Sequence, residues 1–235
     1  MPTPPREIPA LVLGTVLFAL LWLARVDRTG SLHYGFLLWN LMLAWVPVVA
    51  AWLVQAAMRV PDGHEPMRSP RSPRLALAWG LLWIAFLPNA PYLVTDLVHL
   101  RPQPHVPIWY DGLMLGDAVL VGLLAGGSSL RIVRSALSQR WTWARFLVPL
   151  LAIPAAGAGI TLGRFERLNS WEIVTDPTRV IDALTALMSR RAWVASGIAA
   201  ALLGVVYLAL DPPVSKPAPG AFRDALSPGR LPDQT

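Results

Sequence analysis

Six long apolar runs separated by short polar stretches dominate the pattern of this sequence. Most are close to the roughly 20 residues that an α-helix needs to cross the ~30 Å hydrocarbon core of a bilayer. Apolar side chains continue around each run, without the polar face that a helix of a soluble protein keeps towards water. The pattern predicts an all-α, polytopic transmembrane helical bundle. The predicted spans are residues 8–24, 34–58, 75–99, 109–130, 146–163 and 193–210.

These spans form one predicted transmembrane domain over residues 1–210. The stretch 211–235 is polar and rich in proline, which predicts a flexible cytoplasmic tail. Between the fifth and sixth spans, Asp176 followed by Pro177 is typical of a helix start. Apolar residues then follow at helical spacing, so we expect an interfacial helix there.

Composition supports a membrane protein, because 54% of the residues are hydrophobic and only 14% are charged. The net charge is +6, but the basic residues are scattered at the ends of apolar runs. That distribution is typical of topology signals, and it argues against a nucleic-acid partner. The expected partner is the lipid bilayer. With no cysteine, disulfides and thiolate metal sites are excluded.

Six crossings place both termini on one side, together with twelve of the twenty Lys and Arg residues. The positive-inside rule therefore predicts that both termini are cytoplasmic. The third and fifth loops then face outward.

Two prolines, Pro88 and Pro91, interrupt the third span on that outer side. Only about 20 Å of helix precedes them, which is less than the hydrocarbon thickness. A helix broken at this depth must be buried in protein or line a wet cavity, and transporters bind solutes at such breaks. The alternative is a proline kink that neighbouring helices satisfy.

Polar residues follow the break closely. If an α-helix resumes after Pro91, Tyr92, Asp96 and His99 share one face. An Asp and a His one turn apart suit a carboxylate that orients an imidazole, or two metal ligands. Asp96, His99 and Asp111 are the catalytic candidates and also the candidates for a metal site, with hydrogen-bonded structural polar groups as the alternative. The sequence identifies no cofactor.

Asp117 is a further functional candidate, because it lies about 12 Å into the fourth span. Glycines at four-residue spacing in the fourth and fifth spans permit close helix contact. Such contact would bring Asp117 towards Arg164, whose guanidinium would keep the carboxylate ionised. We therefore expect this pair, with Arg167 or Asn40 as the next candidates.

The fifth loop adds residues suited to binding. Arg164 and Arg167, one helical turn apart, suit a clamp for the carboxylate or phosphate of an anionic or polar small molecule. Interfacial snorkelling with an ion pair to Glu166 is the alternative. The remaining substrate-binding candidates are Asn89, Tyr92, Asp117, Asn169 and Trp171.

Two motifs carry a resemblance. The first is PNAPY followed by TD and HL within residues 88–100, with Trp109-Tyr110-Asp111 after it, and the second is GRF followed by NSW within residues 163–171. They resemble a bacterial family of multi-pass membrane proteins that is known only as a domain of unknown function. The resemblance covers residues 34–210. It implies the helical architecture, the outer polar cluster and a bacterial inner membrane, but no reaction.

We expect the third and fifth loops and the fourth span to form one polar pocket on the outer face, and two classes of function fit such a pocket. A transporter or solute-binding module would use the broken third span. A membrane-embedded enzyme, such as a metal-dependent hydrolase or a transferase acting on envelope substrates, would need Asp96, His99 or Asp111. An accessory subunit is a third class.

Overall fold

The computed structural model describes residues 7–58, 72–165, 175–176, 178 and 190–210, and this part of the chain is helical. The all-α bundle predicted from the sequence is confirmed. The helices are α1 (Ile8–Thr29), α2 (Phe36–Met58), α3 (Pro73–Phe86), α4 (Asn89–Tyr92), a 3-10 helix (Leu93–His99), α5 (Ile108–Ser138), α6 (Ala144–Phe165) and α7 (Arg190–Leu210).

Five helices are long and apolar enough to cross a membrane, if the interrupted stretch Pro73–His99 is counted as one. In α7 the described apolar stretch, Gly197–Leu210, is shorter. Length and composition together indicate a multi-pass membrane protein in a lipid bilayer. The predicted interfacial helix and cytoplasmic tail lie outside the described residues.

Ion pairs between α1 and α5 mark the two ends of the bundle. Arg25, in the last turns of α1, bonds Asp111 in the first turn of α5. Glu7, which precedes α1, bonds Arg131 in the second half of α5. The two helices are therefore antiparallel, and the ends are called below the Arg25 end and the Glu7 end. Arg131 also donates to the carbonyl of Leu210, so α7 finishes at the Glu7 end.

Helix α1 is longer than the predicted first span, residues 8–24. It continues through Arg25 to Thr29, and Gly30 closes it in a left-handed conformation with φ 66°. The Gly30 N–H donates to the carbonyl of Val26, which satisfies one of the free carbonyls at the helix end. Arg25 thus belongs to the helix, where its side chain is buried, rather than to an exposed loop.

The third span is broken where the prolines predict it. Helix α3 ends at Phe86, a turn follows at Leu87 and Pro88, and α4 covers only four residues. The chain then continues to His99 as a 3-10 helix, so the expected α-helix after Pro91 is not formed. In a 3-10 helix residues three apart are eclipsed, so Asp96 stacks with His99, and Tyr92 does not share their face.

Glycines let residues 87–99, called below the broken segment, pack closely against the long helices. A Cβ at Gly122 of α5 would lie 2.4 Å from the carbonyl oxygen of Ala90, and a Cβ at Gly159 of α6 would lie 2.3 Å from Cγ of Pro88. Both distances are well below van der Waals contact. Gly122 and Gly159, two of the glycines that the sequence assigns to contact between the fourth and fifth spans, therefore contact the third span instead.

We predict that Gly122→Ala destabilises the protein by roughly 1–3 kcal/mol, as overpacked core positions do. The added methyl group meets a backbone carbonyl, which has little room to move. Gly116→Ala is the matched control in the same helix, because a Cβ there meets nothing within 4 Å. Alanine at Gly116 should leave stability unchanged or raise it by up to about 1 kcal/mol. Thermal unfolding of detergent-solubilised protein measures both, and equal losses would contradict the packing described.

Candidate functional site

A buried ion pair anchors the polar groups at the Arg25 end. The Nε atom of Arg25 lies 2.8 Å from Oδ1 of Asp111, and Nη2 lies 3.4 Å from Oδ2. The two side chains are only 2% and 1% exposed, so each charge depends on the other for compensation. The Nη1 atom of Arg25 is also buried and has no hydrogen-bond partner among the described residues. One face of the guanidinium therefore keeps a donor for a further acceptor.

Tyr34 joins this ion pair to the broken third helix. Its ring lies under the guanidinium of Arg25, 5.0 Å from centroid to carbon, which is a cation–π contact. Its hydroxyl donates to the carbonyl of His99 over 2.9 Å. Burial, and after it the negative charge of Asp111, raises the pKa of the Tyr34 hydroxyl. The hydroxyl therefore stays a proton donor.

The backbone of Tyr34 is also unusual, with φ at 67°. A bulky side chain rarely adopts this left-handed conformation, which costs on the order of 1–3 kcal/mol. The contacts of its ring and hydroxyl hold it there. Strain of this kind concentrates at functional sites, where the surrounding structure over-determines the conformation.

Asp96 is the buried carboxylate of the broken segment. It is 1% exposed, and the side-chain amide of Asn40 in α2 donates to its Oδ2 over 2.8 Å. The Nδ1 atom of His99 lies 3.8 Å from Oδ1 of Asp96, close enough for attraction when the imidazole is charged. The sequence predicts the neighbourhood of Asp96 and His99, and the structure places them together.

His99 presents the other side of its ring outward. Nδ1 lies 3.1 Å from the backbone carbonyl of Asp96, and a carbonyl only accepts, so Nδ1 carries the proton in this contact. In the neutral imidazole Nε2 then has the free lone pair. The side chain is 41% exposed. Phe36 packs edge-on against the ring at 5.1 Å between centroids. The arrangement suits proton transfer or the binding of a donor at Nε2.

The candidate metal ligands do not converge. Asp111 is engaged by Arg25, whereas Asp96 is bonded to Asn40 and lies beside His99. In the described part of the chain, no group of three or more His, Asp or Glu side chains is arranged to hold a metal ion. The metal site suggested by Asp96, His99 and Asp111 gains no support from this geometry.

The remaining residues of the broken segment serve it locally. Asn89 donates from its amide to the carbonyl of Phe86, one of the carbonyls that the end of α3 leaves free. Thr95 donates to the carbonyl of Tyr92. The Tyr92 side chain is half-buried. Of the predicted binding residues here, Asn89 therefore has a structural contact that explains it.

Asp117 faces α1 and not the broken segment. Its Oδ1 would lie 3.4 Å from a Cβ at Gly14. Gly122, which contacts the broken segment, is displaced from Asp117 by about 140° around the helix. Asn40, an alternative partner in the sequence analysis, is bonded to Asp96 instead.

The fifth-loop residues are described only in part. Arg164 lies in the last turn of α6. This helix starts just after α5 ends and runs back towards the Arg25 end. The side chain of Arg164 lies outside the described structure, as do residues Arg167, Asn169 and Trp171. The pair between Asp117 and Arg164 therefore stays a prediction, as does the binding role of the fifth loop.

Sequence reasoning assigned no site role to Arg25 or Tyr34. Arg25 stands at the end of an apolar run, where an arginine normally signals topology. The one available signal is helical spacing. If α1 continues to Thr29, as it does in the structure, Arg25 lies within the helix and its side chain can face the bundle. Asp111 lies 86 residues away, and nothing local links the two.

A family model described as "Protein of unknown function (DUF1361)" matches residues 39–206. The matched stretch begins within α2 and ends within α7, so it contains Asp96, Asp111 and Asp117 but neither Arg25 nor Tyr34. Comparisons with curated proteins and with solved structures find no significant match.

We predict that Arg25→Gln and Asp111→Asn each cost roughly 3–5 kcal/mol, because each leaves a buried charge without its partner. The double variant should lose clearly less than the sum of the two. Glu7→Gln and Arg131→Gln form the control cycle at the opposite end, where Arg131 is 27% exposed and a coupling of at most about 1 kcal/mol is expected. Unfolding of the detergent-solubilised variants measures both cycles. Simple additivity for Arg25 and Asp111 would contradict the ion pair.

Proposed function

The chain belongs to the DUF1361 family, which confirms the resemblance to a family of unknown function, and we propose from its geometry that it binds a small polar solute. The site lies at the Arg25 end, where the third helix is broken. The solute carries an anionic group, either a carboxylate or a phosphate. We further propose a bacterial inner membrane with both termini cytoplasmic, so that this end faces outward.

The observation that carries the proposal is the position of Asp96. The break in the third helix buries this carboxylate inside the bundle, bonded to Asn40 and next to a partly exposed His99. Ionisable groups at such depth are costly and usually mark the path or site of a ligand. Broken helices supply such sites in transporters, because they free backbone groups and polar side chains in mid-membrane.

The anionic group is supported by the positive charges at the same end. Arg25 keeps a buried Nη1 donor beside Asp111. Arg164 lies in the last turn of α6, which runs to this end, and Arg167 follows one turn later in sequence. Two guanidinium groups at that spacing suit a bidentate clamp on carboxylate or phosphate. Hydroxyl or amino groups of the solute would donate hydrogen bonds to the carboxylate of Asp96.

A second candidate, an enzyme, is favoured by His99 alone. The carbonyl of Asp96 fixes the proton on Nδ1, which leaves Nε2 as a partly exposed base. This is the arrangement of a general base that a neighbouring group orients. Hydrolysis of p-nitrophenyl phosphate by the wild type, lost in His99→Gln while probe binding persists, would favour the enzyme. The same probe bound without turnover favours the binding protein.

We predict that an anionic probe (inorganic phosphate, acetate or citrate) stabilises the purified protein against thermal unfolding. At about 100 times the Kd, binding adds about 2.7 kcal/mol to the free energy of unfolding. Arg164→Gln and Arg167→Gln should each weaken binding roughly 10-fold to 100-fold, since a hydrogen bond to a charged group contributes about 1.5–3 kcal/mol.

Arg140→Gln is the matched control for these variants, because Arg140 is exposed beyond the far end of α5 and stacks on Trp141. Its binding should equal that of the wild type. If no probe stabilises the wild type, or if Arg140→Gln loses as much as the other two, an anion site at the Arg25 end is refuted.

The orientation is tested by cysteine labelling, since the chain has no cysteine of its own. Ser31 at the Arg25 end and Gln139 at the Glu7 end are both exposed. A membrane-impermeant maleimide added to intact spheroplasts should label Ser31→Cys at once. Gln139→Cys should react only after the membrane is permeabilised. The reverse pattern would place the Arg25 end in the cytoplasm.

A further inference from the structure

We propose that Asp117 is a proton-binding site inside the membrane, in the seam between α1 and α5. The site is separate from the solute site, because Asp117 faces α1 whereas the broken third helix packs on another face of α5. The ligand is a single proton, which the carboxyl group takes up and releases.

The depth of Asp117 is the first observation. It lies about 14 Å along α5 from the start of the helix at Ile108. Helix α5 is long and apolar enough to cross a membrane, so this position falls within the hydrocarbon core rather than at its edge. An ionisable group at such a level is costly unless it is compensated.

The second observation is the carboxyl group itself. Asp117 is half-buried, yet its Oδ2 atom is fully enclosed and has no hydrogen-bond partner among the described residues. The other oxygen faces Gly14, where α1 and α5 come so close that a Cβ would lie 2.5 Å from Cγ2 of Val121. A carboxylate with an unsatisfied buried oxygen is among the least stable arrangements in a protein interior.

No counter-charge faces Asp117 from the helices at this seam. Between Glu7 and Arg25, α1 carries no ionisable side chain, and neither does α2 anywhere along its length. On α5 itself the nearest ionisable residues are Asp111 and Arg131, which are bonded to Arg25 and Glu7.

The broken segment and α7 pack on other faces of α5. The broken segment and α7 contact Gly122 and Gly126, at about 140° and 180° from Asp117 around the helix. Their ionisable groups are Tyr92, Asp96, His99, Arg190, Arg191 and Tyr207. Helix α6 carries Arg145 and Arg164 in its first and last turns.

These observations together favour the neutral acid. A carboxylate without a counter-charge is strongly disfavoured in a medium of low dielectric, whereas the protonated acid avoids most of that cost. Release of the proton puts a negative charge against Gly14, where the two helices are closest. The site therefore couples one proton to the packing of α1, the helix that carries Arg25.

Dicyclohexylcarbodiimide, an apolar reagent that reacts with protonated carboxylic acids, tests the proposal on the purified full-length protein. The acid adds across one C=N bond to give an O-acylisourea, which rearranges to a stable N-acylurea without a leaving group. Peptide mass spectrometry should find this adduct on Asp117. Labelling should fall as the pH is raised, because the deprotonated form does not react by this route.

Two controls show whether the adduct depends on the position of Asp117 inside the membrane and on its carboxyl group. Asp27 is exposed in the last turn of α1, and a water-soluble carbodiimide should modify it in preference to Asp117. Asp117→Asn should lose the adduct while keeping the binding of anionic probes, so failure of this proposal and failure of the solute site are distinguishable. The mapping on the wild type does not depend on how well the variant folds.

An Asp117 peptide that is recovered but unlabelled at every pH would overturn the proposal. If Arg164→Gln then makes Asp117 reactive, the ion pair predicted from the sequence is the reason. If Asp117 stays unlabelled in that variant as well, its carboxyl group is held ionised by another group, and the proposal again fails.

Discussion

The bundle depends on the absence of two side chains. Gly122 and Gly159 let the broken third helix approach the backbones of α5 and α6 more closely than any Cβ permits. Without that approach, the carbonyl and amide groups freed by Pro88 and Pro91 would face lipid, which no spanning structure tolerates. The close packing buries the interrupted third helix, and the carboxylate of Asp96 is buried with it.

Charge compensation then organises the Arg25 end. Asp111 is acceptable in the interior because Arg25 reaches it from another helix, and Tyr34 ties the guanidinium to the backbone of His99. Asn40 does the same for Asp96 with a neutral amide. The first arrangement pairs two full charges, whereas in the second a neutral amide contacts the carboxylate of Asp96 and the imidazole of His99 lies beside it. We place the proposed ligand at Asp96 because the broken helix buries this carboxylate next to a partly exposed imidazole.

The sequence could predict what depends on local chemistry. Prolines cannot donate a backbone hydrogen bond, so Pro88 and Pro91 alone predict the break after Phe86. The 3-10 geometry of residues 93–99 cannot be predicted in this way, because it reflects how the segment fits between α2 and α5. From the sequence alone Arg25 is interpreted as a topology signal, since its partner is distant in sequence and the pairing appears only in three dimensions. Of the glycines in the fourth and fifth spans, Gly122 and Gly159 do lie at close contacts, but with the third span, because spacing indicates a small-residue face and not what lies on it.

The sequence distance between Arg25 and Asp111 has a consequence for biogenesis. The two residues are 86 positions apart, and at about 5–20 residues per second the ribosome needs roughly 4–17 s to make the intervening chain. During that interval Arg25 lacks Asp111, the carboxylate that compensates its charge in the folded bundle. Arg25 must therefore stay in water or among lipid phosphates until α5 arrives, so α1 enters its final depth only late in assembly. Although α1 is synthesised before α5, on this account it is fixed in place only after α5.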